Sequence, residues 1–264
     1  MPAARTLSRP LSRRLPVLLG LLILGACAGP ERVGLGVEDV RRPVDTAEAP
    51  WRSVGVVATA AGARCTGALV GPRHVLTAAH CLLDAAAKPL PPEAVVFVLG
   101  RAPGRPGLRA GVASVLRGPG FAAMPGPRPD PAVPADTDWA LLTLDGGLPD
   151  QPADRVLPIA SALVPPGARL AYGGYQADGP DRLVADLDCT VLGYGRDPAG
   201  RVMLRHSCAA TGGASGGPLL VRMPGGGWMI AAVGSVATIG AQGGWAVPAV
   251  AVRRAGGAVK GGGS

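Results

Sequence analysis

Lysine is almost missing from this chain: of its 26 basic residues only Lys88 and Lys260 are not arginine. Beside the abundance of Ala, Gly and Pro, this reads as a coding bias and not as a functional choice of guanidinium. Histidine is scarce, at three residues, and aromatic side chains make up only 3% of the chain. A surface that grips nucleic acid needs a stripe of Lys or Arg interleaved with stacking aromatics, and its absence excludes that class of partner. Four arginines, Arg5, Arg9, Arg13 and Arg14, lie at the amino terminus with no acid among them, so residues 28–264 carry only 22 basic against 18 acidic groups. No stretch of useful length shows a helical period. Apolar runs long enough to span a bilayer are lacking as well. The run 15–26 falls short of the ~20 residues required, and Gly234, Gly240, Gln242, Gly243, Gly244 and Pro248 break the stretch 229–252 into two strand-sized pieces around a turn.

What the chain does hold is Gly and Pro, 69 of 264 residues, alongside 48% hydrophobic residues. Such a Gly and Pro content alone would suit low-complexity disorder. Short apolar runs between turn-forming clusters decide against it, at 53–58, 66–70, 74–77, 94–99 and 139–144, and again at 169–172, 190–192, 218–222, 229–233 and 245–252. Helical turns are expected only near 78–83 and close to the end. This pattern is that of an all-β sandwich or barrel protein. Residues 118–135 are too rich in Pro and Gly for a regular element and read as an extended surface loop. Residues 28–50 are polar and turn-rich, and read as a linker or propeptide ahead of a folded part that begins at Trp51. Residues 257–264 read as a flexible tail.

Arginines followed by a 12-residue apolar core make residues 1–27 a signal peptide, which places the mature protein outside the cytoplasm: periplasmic, at the cell surface or secreted. The run closes on Leu24-Gly25-Ala26-Cys27, which resembles the lipobox of bacterial lipoproteins and implies a lipid anchor on Cys27; ordinary cleavage after Ala26 or Ala28 is the alternative. Setting Cys27 aside leaves four of the five cysteines, enough for two bridges in an oxidising compartment. Of the three pairings, Cys65 with Cys81 and Cys189 with Cys208 join near neighbours within one half of the chain. Metal ligation is disfavoured, because no histidine sits at ligand spacing from a cysteine pair.

Hydrolysis by a serine needs a hydroxyl, a base to take its proton, a carboxylate to fix the tautomer of that base, and donors for the oxyanion. Ser215 lies in Thr211-Gly212-Gly213-Ala214-Ser215-Gly216-Gly217-Pro218, where glycines permit the tight backbone that aims neighbouring amides at one point. Gly213 to Gly217 also fits the elbow of α/β-hydrolases, in which the histidine follows the serine. Here His74, His80 and His206 all precede it, so that fold is excluded.

The remaining order, His then Asp then Ser, resembles the chymotrypsin-like serine proteases. Thr77-Ala78-Ala79-His80-Cys81 is similar to the family's histidine motif, Asp138-Trp139-Ala140-Leu141-Leu142 to its aspartate motif, and the Ser215 segment to its serine motif. Glu38-Asp39-Val40-Arg41, and Cys208 seven residues before the serine, resemble the bacterial branch that includes glutamyl endopeptidases.

The resemblance implies two six-stranded antiparallel β-barrels, 51–160 with His80 and Asp138 and 161–256 with Ser215, and a site in the cleft between them. It implies an endopeptidase with His80 as base, Asp138 as its orienting carboxylate in preference to Asp136, Ser215 as nucleophile, the amides of Gly213 and Ser215 as oxyanion donors, and no metal or organic cofactor. His74 and His206 are left without a catalytic role. Two departures stand out. The place just before the serine, an aspartate that pairs with a freed amino terminus in digestive trypsins, is Ala214, and no Ile-Val-Gly-Gly start is present. The specificity positions are Ala209, Ala210 and Val236, which supply neither a carboxylate for Lys or Arg nor hydrogen bonds for Glu, and imply cleavage after neutral small or aliphatic residues. The competing reading is a surface-anchored binding protein that keeps the protease fold with little turnover.

Overall fold

The computed structural model describes Met1 and residues 33–125, 128–129, 135–146, 148–149, 151, 153–196 and 200–260. Met1 apart, the segment 1–27 expected to be a signal peptide, with Cys27, lies outside the described residues, as do 261–264 and parts of the loop expected at 118–135.

Six antiparallel strands close the first barrel: β1 (Val54–Thr59), β2 (Arg64–Gly71), β3 (His74–Thr77), β4 (Val95–Leu99), β5 (Leu108–Arg117) and β6 (Ala140–Leu144), in the order β1-β2-β3-β6-β5-β4. Their burial alternates with the pleat. In β4, Val95, Phe97 and Leu99 point inward, and in β6 Ala140, Leu142 and Leu144 do, while the residues between them are half-buried. β5 has no apolar run. It buries only Ala110 and Val112, with Arg109, Gly111, Ser114 and Arg117 interspersed among its apolar residues.

The second barrel comprises β7 (Arg169–Tyr175), β8 (Leu183–Arg196), β9 (Val202–His206), β10 (Pro218–Arg222), β11 (Trp228–Ala237) and β12 (Gly244–Pro248). Its order is β8-β7-β10-β11-β12-β9, and pairing of β9 with the far half of β8 closes it. The two closed six-stranded barrels implied by the resemblance are therefore present. The chain crosses between them near Pro158: Leu157 N–H donates to Leu69 O in the first barrel at 2.9 Å, and Ala160 N–H to Ile230 O in the second at 2.9 Å.

Four expectations from the sequence are corrected by the fold. The run 245–252 is not one strand, because the sheet ends at Pro248, which has no N–H for the ladder, and helix α1 (Ala249–Lys260) follows. Once nucleated, that helix extends by one backbone hydrogen bond per residue through 257–260, where a flexible tail was expected. Within 118–135, Ala123–Met124 pair with Arg128–Pro129, and a 3-10 turn, Ala135–Thr137, leads to Asp138. Residues 33–50 do not hang free as a linker. Arg42 and Pro43 pair with Ala185 and Val184 of β8, Gly34 bridges to Gln242, and Leu35 and Thr46 are buried.

Candidate active site

His80 sits in a 3-10 turn (Ala79–Leu82) that leaves β3 at its end, and the Cys65–Cys81 disulfide (S–S 2.03 Å, Cα–Cα 6.1 Å) ties this turn to β2. Asp138 lies at the neighbouring end of β6, which pairs with β3, so one ladder places both residues. Asp138 is 1% exposed and accepts three hydrogen bonds. Oδ1 takes the backbone N–H of His80 at 2.9 Å, and Oδ2 takes His80 Nδ1–H at 2.8 Å and the Ser235 hydroxyl at 2.5 Å. Asp136 is not at the histidine; it lies 3.7 Å from Arg201.

Burial works against charge on either partner, yet the pair overcomes it. Burial alone would lower the His80 pKa, but the Asp138 carboxylate, through its charge and hydrogen bond, holds it above the usual 6.5. Burial would raise the Asp138 pKa, but His80 and the Ser235 hydroxyl hold it below 3.8. An ionised carboxylate only accepts, so Nδ1 carries the proton and, in the neutral ring, Nε2 is left as the acceptor.

Ser215 comes from the loop between β9 and β10, which backbone bonds fasten over the His80 turn. Thr66 of β2 makes the principal ties: its N–H donates to Ser215 O at 2.9 Å, its hydroxyl to Gly213 O at 2.8 Å, and its carbonyl accepts the Thr77 hydroxyl at 2.8 Å. Tyr172 donates to Ala214 O at 2.8 Å, and Gly216 N–H to Gly234 O at 2.8 Å. The approach is close enough that a Cβ on Gly216 (φ +78°) would lie 2.2 Å from Thr77 Oγ1 and 2.7 Å from Ala78 N. Cys81 Sγ is 3.7 Å from His80 Nε2 and 3.9 Å from Ser215 O, so the bridge flanks the place where the His80 ring and the serine loop meet. The hydroxyl of Ser215 and the amides of Gly213 and Ser215 have no hydrogen-bond partner among the described residues. Cys65, His80 and Cys81 cluster as metal ligands might, but both sulfurs are spent in the disulfide and offer no thiolate. The second bridge, Cys189–Cys208, joins β8 to the entry of the serine loop (S–S 2.13 Å).

Beside Ser215 opens a pocket of about 20 Å³, room for one water or a small side chain. Ala210 and Val236 line it. Ala209 does not: its N–H is turned to Asp186 Oδ2 at 2.9 Å, and the residue is fully buried in the barrel. Tyr172, Trp245 and His206 also line it, as do Thr211, Ser235, Ala237 and Gly243. His206 Nδ1 accepts Cys208 N–H at 3.2 Å, so Nε2 bears the proton, and burial pushes its pKa down to about 4. Ser235, the second residue that sequence reasoning missed, was signalled only as a lone hydroxyl at the end of the apolar run 229–233.

The trypsin-like peptidase domain pattern matches residues 65–223, a span that contains His80, Asp138 and Ser215. The chain is 32% identical over 184 residues to the cercarial protease of Schistosoma mansoni, an alignment covering 61% of this chain and 67% of that protein. With well over half its length matched and both barrels in place, the chain belongs to the trypsin-like peptidases, hydrolases that act on protein or peptide substrates.

Proposed function

We propose that this protein is an exported serine endopeptidase in which His80, Asp138 and Ser215 form the catalytic triad. The observation that carries the reading is the buried Asp138 carboxylate fixing Nδ1–H of His80, which leaves Nε2 to accept a proton on the side of the serine loop. In the first step the Ser215 oxygen attacks the scissile carbonyl carbon as His80 Nε2 takes the hydroxyl proton. The oxyanion that develops is met by the free N–H groups of Gly213 and Ser215, each such donor being worth about 3–4 kcal/mol. Collapse breaks the C–N bond, His80 gives its proton to the leaving amine, and water repeats the sequence on the acyl-enzyme. No step calls for a metal or organic cofactor.

On the acyl side the pocket selects small neutral side chains. Ala210 and Val236 offer no charge, and His206, uncharged at neutral pH, supplies none either. Lys or Arg entering there would lose hydration that nothing replaces. Residues 38–41 and Cys208 resemble the glutamyl endopeptidase branch, and the proposed preference for neutral residues departs from a cut after Glu. Export by residues 1–27, with Cys27 as a lipid anchor, completes the reading; among the described residues no helix is long and apolar enough to cross a membrane.

A fluorophosphonate probe tests the nucleophile. Ser215 is expected to be labelled, and Ser215→Ala to lose both labelling and peptide hydrolysis at an unchanged melting temperature. An unlabelled but folded parent would instead support the binding protein that keeps the fold with little turnover.

A further inference from the structure

We propose that Arg41 is a positioning residue that holds the oxyanion loop from outside, in the place that a freed amino terminus paired with an aspartate before the serine would take. The proposal rests on the serine endopeptidase reading above. The residue before Ser215 is Ala214, so no side-chain anion is present there to be gripped from within. With four glycines, at 212, 213, 216 and 217, the loop offers few side chains to grip, and Thr66, Tyr172 and Gly234 hold it at residues 213–216 through its backbone. Gly213 sits at φ +93°, a conformation open to glycine, and Thr66 holds it only through its carbonyl oxygen.

The grip on the Thr211 end of the loop comes from the segment ahead of the first barrel. The Arg41 side chain is only 4% exposed and its fork is fully engaged. Nε and Nη2 hold Asp39 at 2.8 and 2.7 Å, Nη2 holds Asp178 Oδ2 at 2.5 Å, and Nη1 donates to Gln176 Oε1 at 2.6 Å and to Thr211 Oγ1 at 3.3 Å. The same Gln176 oxygen accepts the backbone N–H of Thr211 at 2.6 Å and its hydroxyl at 3.0 Å. Thr211 O then closes the turn by accepting Ala214 N–H at 3.1 Å, and Gly212 O accepts Ala177 N–H at 2.7 Å. The guanidinium is thus one side chain removed from the turn 211–214 that presents the Gly213 amide.

The same segment braces the pocket. Gly34 O accepts the N–H of Ala210 at 3.2 Å and of Gly243 at 3.4 Å, and Gly34 N–H donates to Thr238 O at 2.9 Å. Burial alone would strip charge from Arg41, but Asp39 and Asp178 raise its pKa further, so the cation persists at every working pH. The segment 33–43 therefore belongs to the working enzyme, and processing that removes it removes the grip.

The test uses the full chain with Arg41→Ala, Arg41→Gln and Arg41→Lys, measuring kcat and KM on a peptide substrate, affinity for a peptide aldehyde that mimics the tetrahedral adduct, and melting temperature. A lost oxyanion donor costs about 10²–10³-fold in kcat. Arg41→Ala is expected to fall by about 10²-fold in kcat and in aldehyde affinity, with KM changed by less than about threefold; millimolar methylguanidinium restores part of the loss. Arg41→Lys recovers little, because one ammonium cannot serve the fork of acceptors. Arg41→Gln keeps an amide donor without charge and stands in for Arg41→Ala should that variant not fold. A folded variant with parental kcat, equal losses in kcat and in binding of a non-covalent peptide inhibitor, or failure of both uncharged variants to fold would each overturn the proposal. Fluorophosphonate labelling of the parent separates these outcomes from failure of the endopeptidase reading itself, which would leave the parent inert.

Discussion

Asp138→Asn changes the site with almost no change of shape, and its consequences follow from the three donors that converge on the carboxylate. Two of them, the His80 amide and the Ser235 hydroxyl, need an acceptor wherever they point. If the new carbonyl serves the His80 amide, the new NH₂ faces His80 Nδ1 and Ser235. It then donates to Nδ1, which forces the ring proton onto Nε2, and a protonated Nε2 cannot accept from Ser215. An inverted tautomer of this kind costs about 10⁴ in turnover, or about 5.4 kcal/mol at 1.36 kcal/mol per tenfold. The acid limb moves as well. In the parent the carboxylate outweighs burial and holds the His80 pKa above 6.5, so kcat/KM rises with a midpoint above 6.5. In the variant burial remains and the carboxylate is gone, so the midpoint falls below 6.5.

Stability follows the same pair with definite signs. The raised His80 pKa contributes stability that is fully present below 6.5 and lost as pH rises through the folded value. The lowered Asp138 pKa contributes stability present above 3.8 and lost as pH falls through its folded value. The melting-temperature gap between parent and Asp138→Asn is therefore widest between about pH 4 and 6.5 and narrows on both sides. Profiles of kcat/KM over pH, with NMR titration of the His80 ring, measure both effects. A variant with less than a tenfold loss, or with its acid midpoint at or above that of the parent, would refute the reasoning.

Gly216→Ala should lower the melting temperature by at least about 5 °C and abolish activity. Its φ of +78° and a Cβ 2.2 Å from Thr77 Oγ1 and 2.4 Å from Thr66 O combine backbone strain with overpacking, about 1–3 kcal/mol each, at about 2–4 °C per kcal/mol for a domain of this size; an unchanged melting curve would count against the packing of the serine loop on β2 and β3. Ser235→Ala should raise the pKa of Asp138 and reduce kcat by about tenfold or less, with KM unchanged, as expected for loss of one charge-assisted hydrogen bond of about 1.5–3 kcal/mol made in both ground and transition states. Cleavage profiling on a peptide library should favour small neutral residues on the acyl side by at least tenfold over Glu, Lys and Arg; a dominant Glu preference would mean that His206 takes up a proton on binding and supplies the counter-charge.

The residues legible in the sequence are those whose chemistry is enclosed in a short motif. His80 with Cys81, Asp138 before an apolar strand, and Ser215 among glycines each carry their signal within about five residues, and so does the alternation of β4 and β6. Counting back from the serine failed at Ala209, because the direction of a loop residue depends on a partner elsewhere, here Asp186 of β8, which draws the Ala209 amide into the barrel. His206 looked inert for the same reason: what surrounds it, Tyr172 and Gly244, lies 34 residues before and 38 after. Arg41 reaches Gln176 and Thr211 across 135 and 170 positions, a distance at which no periodicity survives. In the sequence Thr66 is one small polar residue opening an apolar run, consistent with an ordinary strand position. In the fold its three polar groups bind Gly213, Ser215, Tyr175 and Thr77, and these bonds lock the serine loop of one barrel onto the histidine strand of the other. A threonine can do this because its hydroxyl donates and accepts at once while its backbone remains free to pair. The alignment of His80 and Ser215 therefore depends on long-range hydrogen bonds from a residue that has no chemistry of its own.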